Sequence, residues 1–177
     1  MSIRSKYFKV TFDTKTIVIL GLLTAIQIVL SRFLSFSVWN MKIGFGFAPI
    51  AIAAILLGPI PAAIVGGLSD FLGAILFPIG PYFPGFTLTA ALTGLIFGLF
   101  LWERQSLVRI VAAVGLTQLI FSLLINTYWI SLVFGAPYVA LFPPRLIQTG
   151  ILIALEILVI VALSRAVRRF PAKRALA

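Results

Sequence analysis

The sequence predicts an all-α fold, an integral membrane bundle of six transmembrane helices with both termini cytoplasmic. Three observations carry this reading. The 177 residues are 62% hydrophobic and 10% charged, whereas an ordinary soluble domain is about a quarter charged, so too little polar surface exists to cover a water-soluble particle. The apolar residues fall into six runs separated by polar or Gly/Pro-rich breaks. The cations gather at the two ends of the chain and in one internal break, which orients the bundle.

The runs occupy residues 17–34, 46–57, 62–77, 86–102, 108–134 and 145–163. A helix crossing the hydrocarbon core needs about 20 residues, and five of the runs approach or exceed that length. The second run is short: twelve residues at 1.5 Å each reach about 18 Å. It is read as a crossing, with a re-entrant segment or a kinked continuation into the third run as alternatives. The breaks at 35–45, 58–61, 78–85, 103–107 and 135–144 are read as loops. The chain therefore divides into a basic cytoplasmic segment 1–16, a membrane domain 17–164 and a basic cytoplasmic tail 165–177.

Parity decides the count. Arg4, Lys6, Lys9 and Lys15 precede the first run, and Arg165, Arg168, Arg169, Lys173 and Arg174 follow the last. Both ends then favour the cytoplasm, which requires an even number of crossings. Six crossings also put Arg104 and Arg109 inside, so eleven of the fourteen cations face the cytoplasm (four, two and five). Arg32, Lys42 and Arg145 remain for the outer half. A cleaved signal peptide is the alternative for the first run, but no small-x-small site follows Leu30.

Composition also excludes functions. The net charge of +10 does not point to nucleic acid, because the cations stand beside apolar runs and form no exposed basic face. With no Cys and no His, thiolate chemistry, the commonest general base and the commonest metal ligand are missing. No GxxxxGK[ST] phosphate loop is present, so the chain is not itself an ATP-driven pump of that class. Four acids scattered along the chain are a poor basis for a membrane-embedded lipid enzyme using Asp70, and the lack of an internal repeat argues against many self-sufficient secondary transporters.

The candidate binding residues lie toward the outer side. Arg32, Lys42 and Arg145 either snorkel to lipid headgroups or form a receptor for an anion arriving from outside. Aromatic residues including Trp39, Tyr82, Phe83 and Trp129 crowd the same side. An interfacial belt accounts for many of them, but the inner boundary is much poorer in aromatics, which favours a stacking site for a flat ring. Gln118, Ser122, Asn126 and Trp129 recur at helical spacing and are read as one face of the fifth run, serving as glue between helices or as a cavity lining. Asp70 and Glu156 lie within runs, where a lone carboxylate must pair or hold a proton. Asp70 is read as an internal ion-pair member or an acceptor for an amino-heterocycle, Glu156 as a packing or partner residue. Gly21 and Ala25, like Ala90, Gly94 and Gly98, are spaced for close helix approach. Thr24, Gln27 and Ser31 occupy a face about 100° from Gly21 and Ala25, so one side of the first helix can meet the bundle and the other a partner.

These residues resemble a known family, the six-helix substrate-binding (S) components of energy-coupling factor (ECF) vitamin transporters. The resemblance rests on Leu20-Gly21-Leu22-Leu23-Thr24-Ala25, Val29-Leu30-Ser31-Arg32-Phe33, Gly46-Phe47-Ala48-Pro49-Ile50, the turn Leu57-Gly58-Pro59-Ile60-Pro61, and Gly66, Asp70 and Gly73. Pro81-Tyr82-Phe83-Pro84-Gly85-Phe86-Thr87-Leu88 with Gly94 and Gly98 is similar to the folate-specific branch. The resemblance implies a plasma-membrane, multi-pass protein of prokaryotic type that captures a vitamin from outside. It then docks on a transmembrane scaffold protein with two ATPase subunits and releases the vitamin inside. Energy arrives in trans: no cofactor is expected in this chain, and ATP is used by the partners. The family's small-residue docking motif maps onto Gly21 and Ala25. Folate also suits the residue chemistry, with its glutamate carboxylates meeting Arg32, Lys42 and Arg145. Its pterin ring stacks on Trp39, Tyr82, Phe83 or Trp129, and the amino-pyrimidine edge meets Asp70, Asn126 or Gln148. Thiamine or riboflavin, the rival substrates, have less use for three outer cations.

Overall fold

The computed structural model describes residues 13–38 and 41–169, with the side chains of residues 37–42 and 168–169 outside the description. Trp39 and the terminal cations Arg4, Lys6, Lys9, Lys173 and Arg174 lie outside the described residues. For Lys42 only the backbone is described.

Helix α1 (Thr14–Arg32) starts where Asp13 caps it, its Oδ1 accepting from the Thr16 backbone N–H at 3.0 Å. A short antiparallel hairpin follows, β1 (Ser35–Val38) and β2 (Met41–Gly44), with Ser35 opposite Gly44 and Ser37 opposite Lys42. This corrects the expectation of a plain loop at 35–45 and adds a small sheet to the all-α reading. Gly44 suits its place, because a Cβ there would stand 2.7 Å from the Cβ of Ser35.

Helix α2 (Phe47–Leu56) has ten residues and spans about 15 Å. Pro49, Ile50, Ala51, Ala53, Ala54 and Ile55 are all buried, so it is an internal strut, enclosed by neighbours rather than facing lipid along its length. Gly58, at φ 99°, then reverses the chain. Pro59 opens helix α3 (Pro59–Leu76), where its missing N–H costs nothing. The kinked α2–α3 continuation is thereby replaced by two separate helices.

Helices α3 and α4 (Pro84–Leu101) form the tightest seam in the molecule. A Cβ on Gly66 would lie 2.4 Å from the Ala90 carbonyl oxygen, one on Gly94 2.2 Å from the Ala62 carbonyl oxygen, and one on Gly98 2.2 Å from Cα of Pro59. The spacing of Ala90, Gly94 and Gly98 is therefore used for backbone-to-backbone contact. Helix α5 (Leu107–Phe134) is one 28-residue helix, α-helical over Leu107–Leu116 and Asn126–Phe134 and π-helical over Thr117–Ile125. Gly135, at φ 65°, closes it. Helix α6 (Tyr138–Arg169) then begins seven residues before Arg145 and carries Pro143 and Pro144 inside it. The break read at 135–144 shrinks accordingly, and the proline pair lies within the helix instead of ending a loop.

The chain reverses at every connection, giving the bundle two distinct ends. At one, Phe33 meets Phe77 edge-on at 5.1 Å, and a Cβ on Gly80 would lie 3.5 Å from the Phe134 ring. At the other, the Trp102 ring covers Gly58. Thr14 and Arg169 both belong to the Gly58 end. Among the described residues, five helices (α1, α3, α4, α5 and α6) are long and apolar enough to cross a membrane, while α2 is a shorter apolar helix. Six helices are thus observed, five of them of spanning length. Large exposed apolar side chains such as Val18, Leu22, Val108 and Leu158 line the outside of the bundle, as a lipid-facing surface requires. The buried apolar cluster of Ala54, Ile55, Ala62, Val65, Phe97, Leu101, Ile110, Val114 and Ile160 fills the half nearest Gly58. Most of the side-chain hydrogen bonds that join one helix to another lie in the other half.

Candidate functional site

The half of the bundle nearest the hairpin carries cross-helix polar contacts. On α3 and α4, Asp70 Oδ2 accepts a hydrogen bond from the Thr87 hydroxyl at 2.8 Å, and the Tyr82 hydroxyl lies 3.3 Å from the same Thr87 oxygen. Asp70, read as an ion-pair member or a heterocycle acceptor, thus has a hydroxyl partner and is partly buried. One turn further along α3, Gly73 makes room for Arg32: a Cβ there would stand 2.9 Å from the guanidinium Nε. That Nε is buried without a hydrogen-bond partner, so Arg32 brings an unsatisfied donor to the face of α3 that carries Asp70.

On the facing helices, Thr89 donates to Asn126 Oδ1 at 2.7 Å, tying α4 to α5. Phe83 and Trp129 meet with ring centroids 5.2 Å apart, above Gly85, where a Cβ would approach both rings to within 2.8 Å. Tyr82 belongs to a separate aromatic group and contacts Phe71 edge-on at 5.9 Å. The Trp129 Nε1 is, like the Arg32 Nε, a buried donor without a partner. Burying an unmet N–H costs about 1 to 3 kcal/mol, which an arriving acceptor would recover.

Arg145 is only 6% exposed. Its Nε donates to the Thr127 hydroxyl at 2.8 Å and its Nη2 to the Ser122 carbonyl at 3.0 Å, while Thr127 itself donates to the Leu123 carbonyl. A snorkelling arginine extends toward headgroups and water. Arg145 instead turns into the bundle, so headgroup anchoring is overturned for this residue. Gln148, one turn along α6, is also buried.

The π-helical segment explains a second correction. Gln118, Ser122, Asn126 and Trp129 were expected on one α-helical face, but hydrogen bonds closing over five residues shift the phase. Gln118 turns to Glu156 on α6, whereas Asn126 and Trp129 turn to α4. Sequence reasoning missed Thr87, Thr89 and Thr127 as the hydroxyls that organise Asp70, Asn126 and Arg145. Two of them stand in the Phe86-Thr87-Leu88-Thr89 stretch, where the polar spacing was the available signal.

Helix α1 has a buried side and an exposed side. Thr24 and Gln27 are buried, while Gly21 and Ala25 are exposed. These two small residues, with Ile64, Leu68 and Leu72 of α3, line an open apolar groove of about 390 Å³. A Cβ on Gly21 would meet nothing within 4 Å.

Comparison with known proteins shows what the chain as a whole is similar to. Residues 15–164 match the family described as ECF transporter, substrate-specific component. The folate transporter FolT of Clostridium novyi (strain NT) is 38% identical over 142 residues, 80% of this chain and 83% of that protein. The folate transporter FolT of Leuconostoc mesenteroides is 30% identical over 152 residues, 82% of each. Among solved structures, the crystal structure of FolT bound with folic acid superposes with a TM-score of 0.82 at 33% identity, covering 87% of this chain and 95% of that one.

Proposed function

Since the chain belongs to the substrate-specific components of ECF transporters, we propose that it is the folate-binding membrane subunit of an ATP-driven importer. The observation that carries this reading is the likeness to folate-bound FolT over nearly the whole of both chains. As a substrate-specific component it is a binding protein and not an enzyme.

In this reading the protein sits in the plasma membrane with the Gly58 end, and so both termini, in the cytoplasm, and α2 completes a sixth crossing. The cation bias of the termini and of the Arg104–Arg109 region supports that orientation. Folate enters from the hairpin end. Its glutamate carboxylates pair with Arg32 and Arg145 and with Lys42 on β2, and its pterin ring lies against Phe83 and Trp129, with Tyr82 nearby and Trp39, outside the described residues, as a further stacking candidate. Asp70, Asn126 and Gln148 bond its heteroatoms. A planar guanidinium suits a carboxylate through parallel N–H donors, and the buried Arg32 Nε and Trp129 Nε1 supply donors that the fold leaves unmet.

The groove beside Gly21 and Ala25 is the proposed dock for the ECF transmembrane scaffold protein, which carries two ATPase subunits. No cofactor is assigned to this chain, since ATP is hydrolysed by those partners. Radiolabelled folate binding to the purified, detergent-solubilised protein tests the substrate, with thiamine and riboflavin as competitors. Saturable binding below micromolar, resistant to both competitors, is expected, and its absence sinks the folate reading. For docking, Gly21→Leu should keep folate binding while reducing co-purification of the scaffold protein. Equal loss of both would show a misfolded α1 instead.

A further inference from the structure

One polar contact lies apart from the folate site. Gln118, in the π-helical segment of α5, donates from Nε2 to Glu156 Oε1 of α6 at 2.6 Å. Both side chains are more than nine-tenths buried, with exposures of 7% and 4%. The amide oxygen of Gln118, Oε1, and the other carboxylate oxygen of Glu156, Oε2, are buried without a hydrogen-bond partner. An ionised carboxylate would leave two acceptor oxygens unmet on one pair of planar groups, and a buried charge unneutralised, an arrangement costing several kcal/mol. One proton changes both facts. On Oε2 it gives Glu156 a donor, and the only acceptor needing one on the facing side chain is Gln118 Oε1.

We propose that Glu156 carries a proton and closes a cyclic acid–amide pair with Gln118, making a buried proton-binding site that clamps α5 to α6. The pair then holds two antiparallel hydrogen bonds, amide N–H to carboxyl C=O and carboxyl O–H to amide C=O, with no net charge. No described cation stands close enough to replace the proton. Along α6, Arg145 lies eleven residues away, about 16 Å, and is engaged by Thr127 and Ser122. Arg165 lies nine residues the other way, about 13 Å, and is exposed, and Tyr138 opens the helix. On α5, Arg109 is nine residues from Gln118, about 13 Å, and Tyr128 is ten. The neighbouring α2 and α4 contain no ionisable side chain, and Lys42 of the hairpin belongs to the far end of α6.

Because this proton is bound by the folded protein and released by an unfolded chain near the ordinary carboxylate pKa, stability falls as pH rises above that value. Infrared difference spectroscopy at neutral pH tests the site directly. The wild-type protein should show a protonated-carboxyl C=O band that is missing from Glu156→Gln. That variant replaces the acid by an amide able to make the same two bonds, so it should fold, melt no lower than wild type and lose part of the alkaline destabilisation. Gln118→Leu, which strands the acid, should melt several degrees lower. The proposal is overturned if Glu156→Gln removes intensity from the carboxylate region instead, or if it melts as low as Gln118→Leu or does not fold. Folate affinity should be the same in wild type and Glu156→Gln, so the result is separable from the substrate assignment.

Discussion

The two halves of this bundle solve opposite problems with the same six helices. Toward Gly58 the contacts are mainly apolar, with the Gln118–Glu156 pair at the margin of that cluster. Phe97, Leu101, Ile110, Val114 and Ile160 are almost fully buried, and Gly94 and Gly98 bring α4 against the backbone of α3. Toward the hairpin the helices touch through hydroxyls, amides and rings, in Thr87 with Asp70, Thr89 with Asn126, Arg145 with Thr127, and Phe83 with Trp129. Apolar packing tolerates no gaps and tells no ligand from another. Polar groups with unmet donors are costly to the empty fold and selective toward what fills them. The molecule thus keeps rigidity in one half and chemical choice in the other.

Substitutions that treat the halves differently sharpen this contrast. The largest effect is expected for Gly94→Leu, which forces a side chain into the Ala62 backbone. Destabilisation on the order of 3 kcal/mol or more should appear as a lost or much lowered melting transition. Gly150→Leu, at a position with nothing within 4 Å, should melt close to wild type. If both glycine variants melt alike, the α3–α4 seam is not the rigid element.

Next in size, Arg32→Ala should weaken folate binding by about 1.5 to 3 kcal/mol, roughly 10- to 150-fold in Kd by titration, with little change in melting. Arg145→Ala should lose a similar affinity and also melt lower, because Arg145 already bonds Thr127 and Ser122. Unchanged affinity in both variants would remove the anion-receptor role. Trp129→Phe keeps a ring beside Phe83 and deletes the unmet N–H. Binding should weaken by about 1 kcal/mol while the melting midpoint holds. The smallest effect belongs to the far end of α1. Hydrogen bonds from the Thr16 side chain and backbone hold the Asp13 carboxyl below its usual range. The cap therefore stabilises α1 above the ordinary carboxylate pKa and is lost as pH falls through the lowered value. Asp13→Asn should flatten that acid-side slope in circular dichroism while preserving the helix.

Much of the scaffold was legible because its signals are local. Runs of apolar residues, Gly58-Pro59 and the small-residue spacing of α4 each state a rule that the chain obeys. What escaped depends on neighbours. Pro143-Pro144 reads as a break in isolation, yet in a bundle other groups satisfy the carbonyls that proline leaves unbonded, and α6 runs through it. The π-helical turns leave no trace in a search for 3.6-residue periodicity, so the polar stripe of α5 was drawn on one face when it serves two. The Ser35–Gly44 hairpin was hidden by its short length and mixed polarity. Among candidate residues, Asp70, Asn126, Trp129 and Arg145 were visible as polar or aromatic groups in apolar surroundings. Their hydroxyl partners were not, since threonine is common in membrane helices and becomes meaningful only opposite a particular side chain.

Helix α3 has a place in both halves and in the groove. Its Ile64, Leu68 and Leu72 line the groove beside Gly21, its Gly66 is locked to Ala90 of α4, and its Asp70 holds Thr87 at the hairpin end. A load applied by a protein seated in that groove therefore falls on the same rod that carries the polar site. The Gly66–Ala90 seam joins that rod to α4 backbone to backbone, so the groove and the polar site share one connected pair of helices.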